Sequence, residues 1–342
     1  NESCLTTKTS NKDRFFKFIK YKDKTTADFY EFLSVLFGGF PEMRTFGIRA
    51  KKHILKNQYD VVIDNQSVSY GMEYIQILTP LIEVIHHPIT MDLKHELATN
   101  KNLIYRFSRH RWYSFLRMQK KVAPLLKNIL TPSHNSKKDI IKDFKVKPEN
   151  ISVIHNAVDS SIFRPYPNIK NSPHRLITTA SADVPLKGLD FSLYALSELS
   201  NEFQDIELLV IGAPKEGGHT ERLIKKLNLN KRVTFKTGIT KDQIAQEYAK
   251  SSVAIVSSLY EGFGYPVAEA MSCSIPLVAT DIASIPEITD NFATLIPPKN
   301  SDAISDSVRK IFLEPDLYNE IAAKGRMHIQ NKFNWQTIGM QY

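Results

Sequence analysis

Short β-like runs alternate with helix-like stretches along this chain, and that alternation leaves few folds open. Residues 59–64, 81–86, 128–131, 151–154 and 175–178 read as buried strands. So do residues 206–211, 232–235, 253–256 and 276–279. Helical periods fill many of the gaps, as at 190–203, 221–227 and 241–249. The pattern predicts an α/β protein with parallel sheets covered by helices on both faces. At 342 residues the chain exceeds what one core usually organises, so two domains are expected. Segment 159–174, with Pro165, Pro167, Asn168, Asn171 and Pro173, is the best linker candidate. The reading is therefore a first domain over 1–165 and a second from 166 to 332. Each is a doubly wound, Rossmann-like unit, and the two face each other across a cleft. Ligands of such sheets bind at the carboxyl ends of the strands, which places the site in that cleft.

Charge is divided unevenly. Residues 1–165 hold 27 Lys and Arg against 16 Asp and Glu, whereas residues 166–342 hold 18 against 20. A basic first half suits an anionic partner: nucleic acid, an anionic membrane surface or a phosphorylated acceptor. The excess concentrates in 14–24 and 106–127, where Lys and Arg interleave with aromatics such as Phe15, Phe18, Trp112, Tyr113 and Phe115. That mixture suits anionic lipid headgroups and predicts peripheral membrane binding through the first domain. No nucleic-acid recognition motif is present, and no nucleic-acid partner is expected. The uncharged runs 32–41 and 270–280 fall short of the about 20 residues of a membrane span. Cys4 and Cys273 lie far apart and match no metal-ligand spacing, which agrees with a reducing cytoplasm.

One stretch carries most of the chemistry. Ser257-Ser-Leu-Tyr-Glu-Gly-Phe-Gly-Tyr-Pro-Val-Ala-Glu-Ala-Met271 follows the strand at 253–256 directly. Gly262 and Gly264 let the backbone turn tightly and approach a ligand. Helical pattern resumes near Pro266, a residue suited to a first helical turn. The free N–H groups and positive dipole end there would meet a phosphate. Glu261 before the turn and Glu269 on the helix could both face the ligand, and a carboxylate can accept two sugar hydroxyls. Ser258 sits beside the loop as a possible donor. Read from mechanics alone, the same stretch also fits a well-capped strand–helix junction with no ligand.

The stretch resembles the Glu-x7-Glu signature of glycosyltransferase family four, retaining enzymes of GT-B architecture. Val153-Ile-His-Asn-Ala-Val-Asp159 with Phe163-Arg-Pro165 is similar to that family's segment before the interdomain linker. Pro185-Leu-Lys-Gly188 resembles its Lys-Gly phosphate motif, and Phe333-Asn-Trp335 its closing motif. The resemblance runs from about Tyr59 to the end. It implies that Glu269 holds the nucleotide ribose, that Lys187 beside Gly188 neutralises the diphosphate, and that amides of Gly262, Phe263, Gly264 and Tyr265 cradle the sugar and distal phosphate. Glu261 would contact hydroxyls of the transferred sugar. Ile85-His-His-Pro88 offers His86, with His87 adjacent, as the match to a family His near the anomeric carbon. Residues 333–342 would begin a helix crossing back to the first domain.

The implied reaction moves a hexose-type sugar from a nucleotide-diphosphate donor, a UDP-sugar by family frequency, to a lipid, lipid-linked or saccharide acceptor. Lys187 and oriented amides can stabilise a departing nucleoside diphosphate, and no Asp-x-Asp pair occurs, so neither metal nor cofactor is expected. Competing readings are another GT-B enzyme, such as a nucleotide-sugar epimerase or a phosphorylase, and a basic nucleic-acid-binding protein. Two departures from the family pattern stand out. Ala182 occupies a position where the family commonly has Arg. The family's opening strand, glycine-rich loop, helix and second strand do not precede Phe15-Phe-Lys-Phe-Ile19, the first strand-like run here, so an N-terminally incomplete chain with an exposed sheet edge is expected.

Overall fold

The structure is a computed structural model that describes residues 25–37, 39–180 and 182–342. The 14–24 basic stretch and the Phe15–Ile19 run lie outside the described residues. The chain divides into two compact units: the described residues up to Thr131 with Ser136–Val153, and Pro132–Asn135 with Ile154–Tyr342.

The first unit is built on a four-stranded parallel sheet in the order β1-β2-β3-β4. Its strands are β1 (Val62–Asn65), β2 (Leu81–Val84), β3 (Ile129–Thr131) and β4 (Ile151–Val153). The pairing Val62↔Leu81 fixes the start of β1, three residues later than the apolar run alone suggests. Val68, Met72, Ile75, Leu81, Ile85, Ile129, Ile140 and Phe144 form its core. β1 is an edge among the described residues, and Ile63 on it is 59% exposed.

The second unit is a six-stranded parallel sheet in the order β10-β9-β8-β5-β6-β7. The strands are β5 (Arg175–Thr179), β6 (Glu207–Ile211), β7 (Val233–Lys236), β8 (Val253–Val256), β9 (Leu277–Thr280) and β10 (Thr294–Ile296). Numbered within the unit this is the 3-2-1-4-5-6 order of a dinucleotide-binding sheet. Alternate residues of each strand point to opposite faces, and both faces are dry. Leu176, Leu208, Val210, Val253, Ile255 and Val278 pack into one core. Ile177, Leu209, Ala254, Val256 and Ala279 pack into the other. That two-sided burial explains why these strands read as continuous apolar runs.

Helix starts in this unit follow their sequence signals. The Lys241–Ala249 helix has a capping box between Thr240 and Gln243. Asn300 caps the Ser301–Leu313 helix, and Asn334 caps the short Trp335–Gly339 helix. No helix or strand interrupts residues 154–174. Val158 and Phe163 from that run sit in the second unit's core, and the Val158 N–H donates to the Phe333 carbonyl at 2.8 Å. Among the described residues no helix is long and apolar enough to cross a membrane.

Candidate donor site

In the second unit the order of strand connections reverses between β5 and β8, which are hydrogen-bonded neighbours. The loops leaving their carboxyl ends therefore stand at the usual ligand position of such sheets. Lys187 comes from the loop after β5 and Glu261 from the loop after β8. Lys187 Nζ meets Glu261 Oε1 at 2.7 Å. Ser258 Oγ donates to the same carboxylate oxygen, also at 2.7 Å. The Glu261 carboxylate is buried and Lys187 only partly so. An ion pair with a second, hydroxyl donor in place offsets the desolvation that burial would otherwise cost.

The backbone is shaped to allow this approach. Gly188 has φ +60°, and a Cβ built there would lie 2.0 Å from the Ser257 carbonyl oxygen. Only glycine lets the two loops pass this closely. They are then stitched together. Leu259 N–H donates to the Leu186 carbonyl at 2.7 Å, and Ser257 Oγ donates to the Gly188 carbonyl at 2.9 Å. Gly264, with φ +104° and ψ 51°, turns the chain into the Tyr265–Ser272 helix, where Pro266 occupies the first turn.

The turn itself is pinned from beneath. Buried Ser284 donates to the carbonyls of Glu261 (2.9 Å) and Phe263 (2.6 Å). Thr280 donates to the Ser258 carbonyl at 2.6 Å. With carbonyls held below, the amides are left for something else. Among the described residues the N–H groups of Phe263, Gly264 and Tyr265 donate to no other protein group. Three unused amides at a helix N-terminus are the kind of donor set that can hold an anion.

Glu269 lies on the same helix, half-buried. Its carboxylate accepts no hydrogen bond among the described residues, and burial raises its pKa to about 7 against a modest opposing pull from Lys241. The neighbouring phenols carry the reciprocal mark. Burial, then the Glu269 charge, pushes Tyr248 well above its ordinary value and Tyr265 upward. Tyr248 is fully buried and its hydroxyl reaches the Pro266 carbonyl at 3.5 Å, so it supports the start of the helix.

The sequence-derived candidates therefore separate into groups. Lys187, Gly188, Ser258, Glu261, Gly262, Gly264 and Tyr265 gather in the loops after β5 and β8, and Glu269 stands on the helix that follows. The Phe263 ring is buried in the core, edge-to-face with Tyr265 at 5.2 Å and Phe333 at 6.0 Å, so only its backbone is open to a ligand. Ala182, also buried, sits beside Asp183, which has φ +59°. The Asp183 carboxylate accepts from the amides of Lys215 (2.8 Å) and Thr220 (2.9 Å). Ser284, Thr280 and Tyr248 were not among the candidates; their roles depend on contacts that no local pattern announces.

His86 belongs to the first unit, just past β2. Its Nε2 lies 2.7 Å from Asn65 Oδ1, and its N–H donates to Gln66 Oε1 at 2.5 Å. The Gln66 amide group donates in turn to the His87 carbonyl at 2.9 Å. Burial, and then the neighbouring His87, lowers the His86 pKa. The ring thus favours the neutral form, its Nε2–H donated to Asn65 and its Nδ1 left as an acceptor.

Comparison with known proteins gives the family and the fold. Residues 164–328 match the model for glycosyl transferases group 1, and residues 16–162 match that for glycosyltransferase family 4. An MMP alpha-(1->4)-mannosyltransferase from Mycolicibacterium hassiacum is 35% identical over 329 residues, covering 93% of this chain and 78% of that protein. An O-antigen chain mannosyltransferase from Salmonella typhimurium is 27% identical over 190 residues, 56% of this chain and 52% of that one. Against that and other curated relatives the chain spans about half of their length. Among solved structures, a sucrose-phosphate synthase from Thermosynechococcus elongatus has the same fold, with TM-score 0.72 and 20% identity over 86% of this chain and 75% of that one. The Anabaena protein HepE in complex with UDP superposes with TM-score 0.70 and 17% identity over 86% and 80%. Family models over both units, and a relative so similar across nearly the whole chain, show that this protein belongs to the family 4, group 1 glycosyltransferases of GT-B fold, enzymes of glycosyl transfer.

Proposed function

We propose that the chain transfers a hexose-type sugar from a nucleoside-diphosphate donor, a UDP-sugar first, to a saccharide or lipid-linked acceptor with retention of configuration. The observation that carries this reading is the set of unused amides at Phe263, Gly264 and Tyr265 beside the Lys187–Glu261 pair. In the proposal the amides and Lys187 receive the diphosphate, and the unpartnered Glu269 accepts the ribose hydroxyls. Once Lys187 turns to phosphate, the Glu261 carboxylate becomes available to hydroxyls of the transferred sugar. As the bond to the anomeric carbon breaks, negative charge grows on the distal phosphate, where a cation and fixed amides stabilise it without reorganising. Lys187 and the helix end supply that charge, so the proposal needs no metal.

The comparisons lend support without naming the donor. HepE, of the same fold, has been solved with UDP and with UDP-glucose. Two relatives are named mannosyltransferases, which makes mannose one candidate for the transferred hexose. A thermal-shift panel of UDP, GDP and ADP on wild type and Glu269→Ala tests the reading. A nucleotide at about 100 times its Kd stabilises its site by about 2.7 kcal/mol. UDP should raise the melting temperature of wild type and not of the variant. A cooperative melt that no nucleotide moves would sink the proposal. Turnover abolished by EDTA and restored by a divalent cation would refute metal independence.

A further inference from the structure

The Leu103–Trp112 helix of the first unit is turned inside out. Three of its polar side chains, Tyr105, Arg106 and Arg109, face the neighbouring Thr90–Thr99 helix. Arg106 donates to the Leu97 carbonyl at 2.6 Å, Tyr105 reaches Glu96 at 3.5 Å and Arg109 approaches Glu96 at 3.6 Å. At its end Trp112 stacks on Phe40, with ring centroids 5.0 Å apart. The apolar residues point the other way. Leu103 is 80% exposed, Ile104 81% and Phe107 67%. At 100° per residue these three share one face with His110 and Arg111, both exposed, and the Arg111 guanidinium lies 5.9 Å from the Phe107 ring.

An apolar face held outward by its own polar anchors has a use only if something apolar covers it. The charge around it indicates what that is. From Leu97 to Lys138 the sequence contains no Asp or Glu and ten Lys and Arg. Lys101, immediately before the helix, is exposed as well. Glu96 is turned to the other side, where it meets Tyr105 and Arg109, and apolar side chains fringed by cations match a surface that is apolar within and anionic at its rim. Ten residues give about 15 Å of helix, enough to lie in a headgroup layer and far short of spanning one.

We infer that the Leu103–Trp112 helix docks the protein on an anionic lipid surface, with Leu103, Ile104 and Phe107 entering the acyl boundary and Lys101 and Arg111 meeting headgroups. The inference uses no residue assigned to the donor and stands apart from the proposed reaction. The test is co-sedimentation of the full chain, at low salt, with vesicles of phosphatidylglycerol and phosphatidylcholine or of phosphatidylcholine alone. Three variants are compared: wild type, a triple Leu103→Ser, Ile104→Ser, Phe107→Ser variant, and a double Lys101→Glu, Arg111→Glu variant. Wild type should bind the anionic vesicles at least tenfold more tightly than the neutral ones. Both variants should lose at least tenfold on the anionic vesicles with unchanged melting temperatures. Absent binding by wild type, equal binding to both vesicle types, or full binding by the triple variant overturns the inference. So does a concentration-dependent dimer that only the triple variant loses, because that assigns the face to a second copy of the chain.

Discussion

Glu269 should make the unliganded protein less stable above neutral pH, and replacing it with Gln should remove that loss. Its folded pKa of about 7 lies above the ordinary 4.5 because burial penalises the charged form. The folded state therefore holds the proton more tightly than the unfolded state does. The resulting stabilisation is complete below pH 4.5 and disappears as pH rises through 7. At about 1.4 kcal/mol per decade, the whole effect is about 3 kcal/mol, of which about 2.5 kcal/mol falls between pH 5 and pH 8. Urea unfolding of wild type and Glu269→Gln at those two pH values isolates the term. The difference between the two proteins should move by about 2.5 kcal/mol in the variant's favour from pH 5 to pH 8. In a thermal melt that corresponds to roughly 5–10 °C for a unit of this size. Gln has nearly the same shape as a protonated carboxyl, so packing is kept while the charge is removed. A difference that stays constant within about 0.5 kcal/mol would refute the burial argument at this range. The proposed function adds a second readout: UDP should protect wild type at pH 8 and leave Glu269→Gln unprotected.

Other substitutions test the site. Lys187→Ala should lower kcat by about 100-fold or more, the cost of removing one stabiliser of a developing oxyanion, with Lys187→Arg recovering part of it in a steady-state assay. Gly188→Ala places a methyl against the Ser257 carbonyl at a positive φ; calorimetry should show about 3 kcal/mol of destabilisation. Ser284→Ala removes one hydroxyl from two loop carbonyls and should cost about 1–2 kcal/mol in denaturant melts, together with a lower kcat/KM. If only stability changes in Ser284→Ala, the hydroxyl supports the fold and does not shape the turn.

The sequence makes the sheet of the second unit legible because both of its faces are buried. A short, β-branched apolar run such as Val253–Val256, bounded by serines, then reads as an interior strand, and β8 has those bounds. The Gly262–Gly264 turn and Pro266 are legible for a related reason, since each residue states its own backbone requirement. Sequence reasoning fails where the answer lies in a distant partner. β10 is three residues long and is defined by pairing with β9. Ser284 looks like any loop serine until its two acceptors are seen. The 106–127 stretch shows the same limit more sharply. Basic and aromatic residues alternate there at spacings that let either class face outward. Glu96 and Phe40 decide the matter, drawing Arg109, Tyr113 and Trp112 inward and leaving Leu103, Ile104 and Phe107 outside.

The Lys187–Glu261 pair also constrains how a donor can enter. In the unliganded protein the carboxylate is satisfied twice, by Lys187 and by Ser258, whereas Lys187 has no second anion among the described residues. A diphosphate arriving at the Phe263–Tyr265 amides brings more negative charge to Lys187 than one carboxylate offers. In the proposed reaction the lysine moves and Glu261 keeps only its serine. A buried carboxylate deprived of its cation must find other donors, because leaving it unpaired costs several kcal/mol. Sugar hydroxyls are the donors that arrive with the diphosphate. A nucleoside diphosphate lacking the sugar would take Lys187 without replacing it. UDP-sugar should therefore bind more tightly than UDP to wild type, and Glu261→Gln should erase most of that preference. Equal affinities for UDP and UDP-sugar in wild type, measured by calorimetric titration over several UDP-hexoses, would show that Glu261 serves the loop and not the sugar.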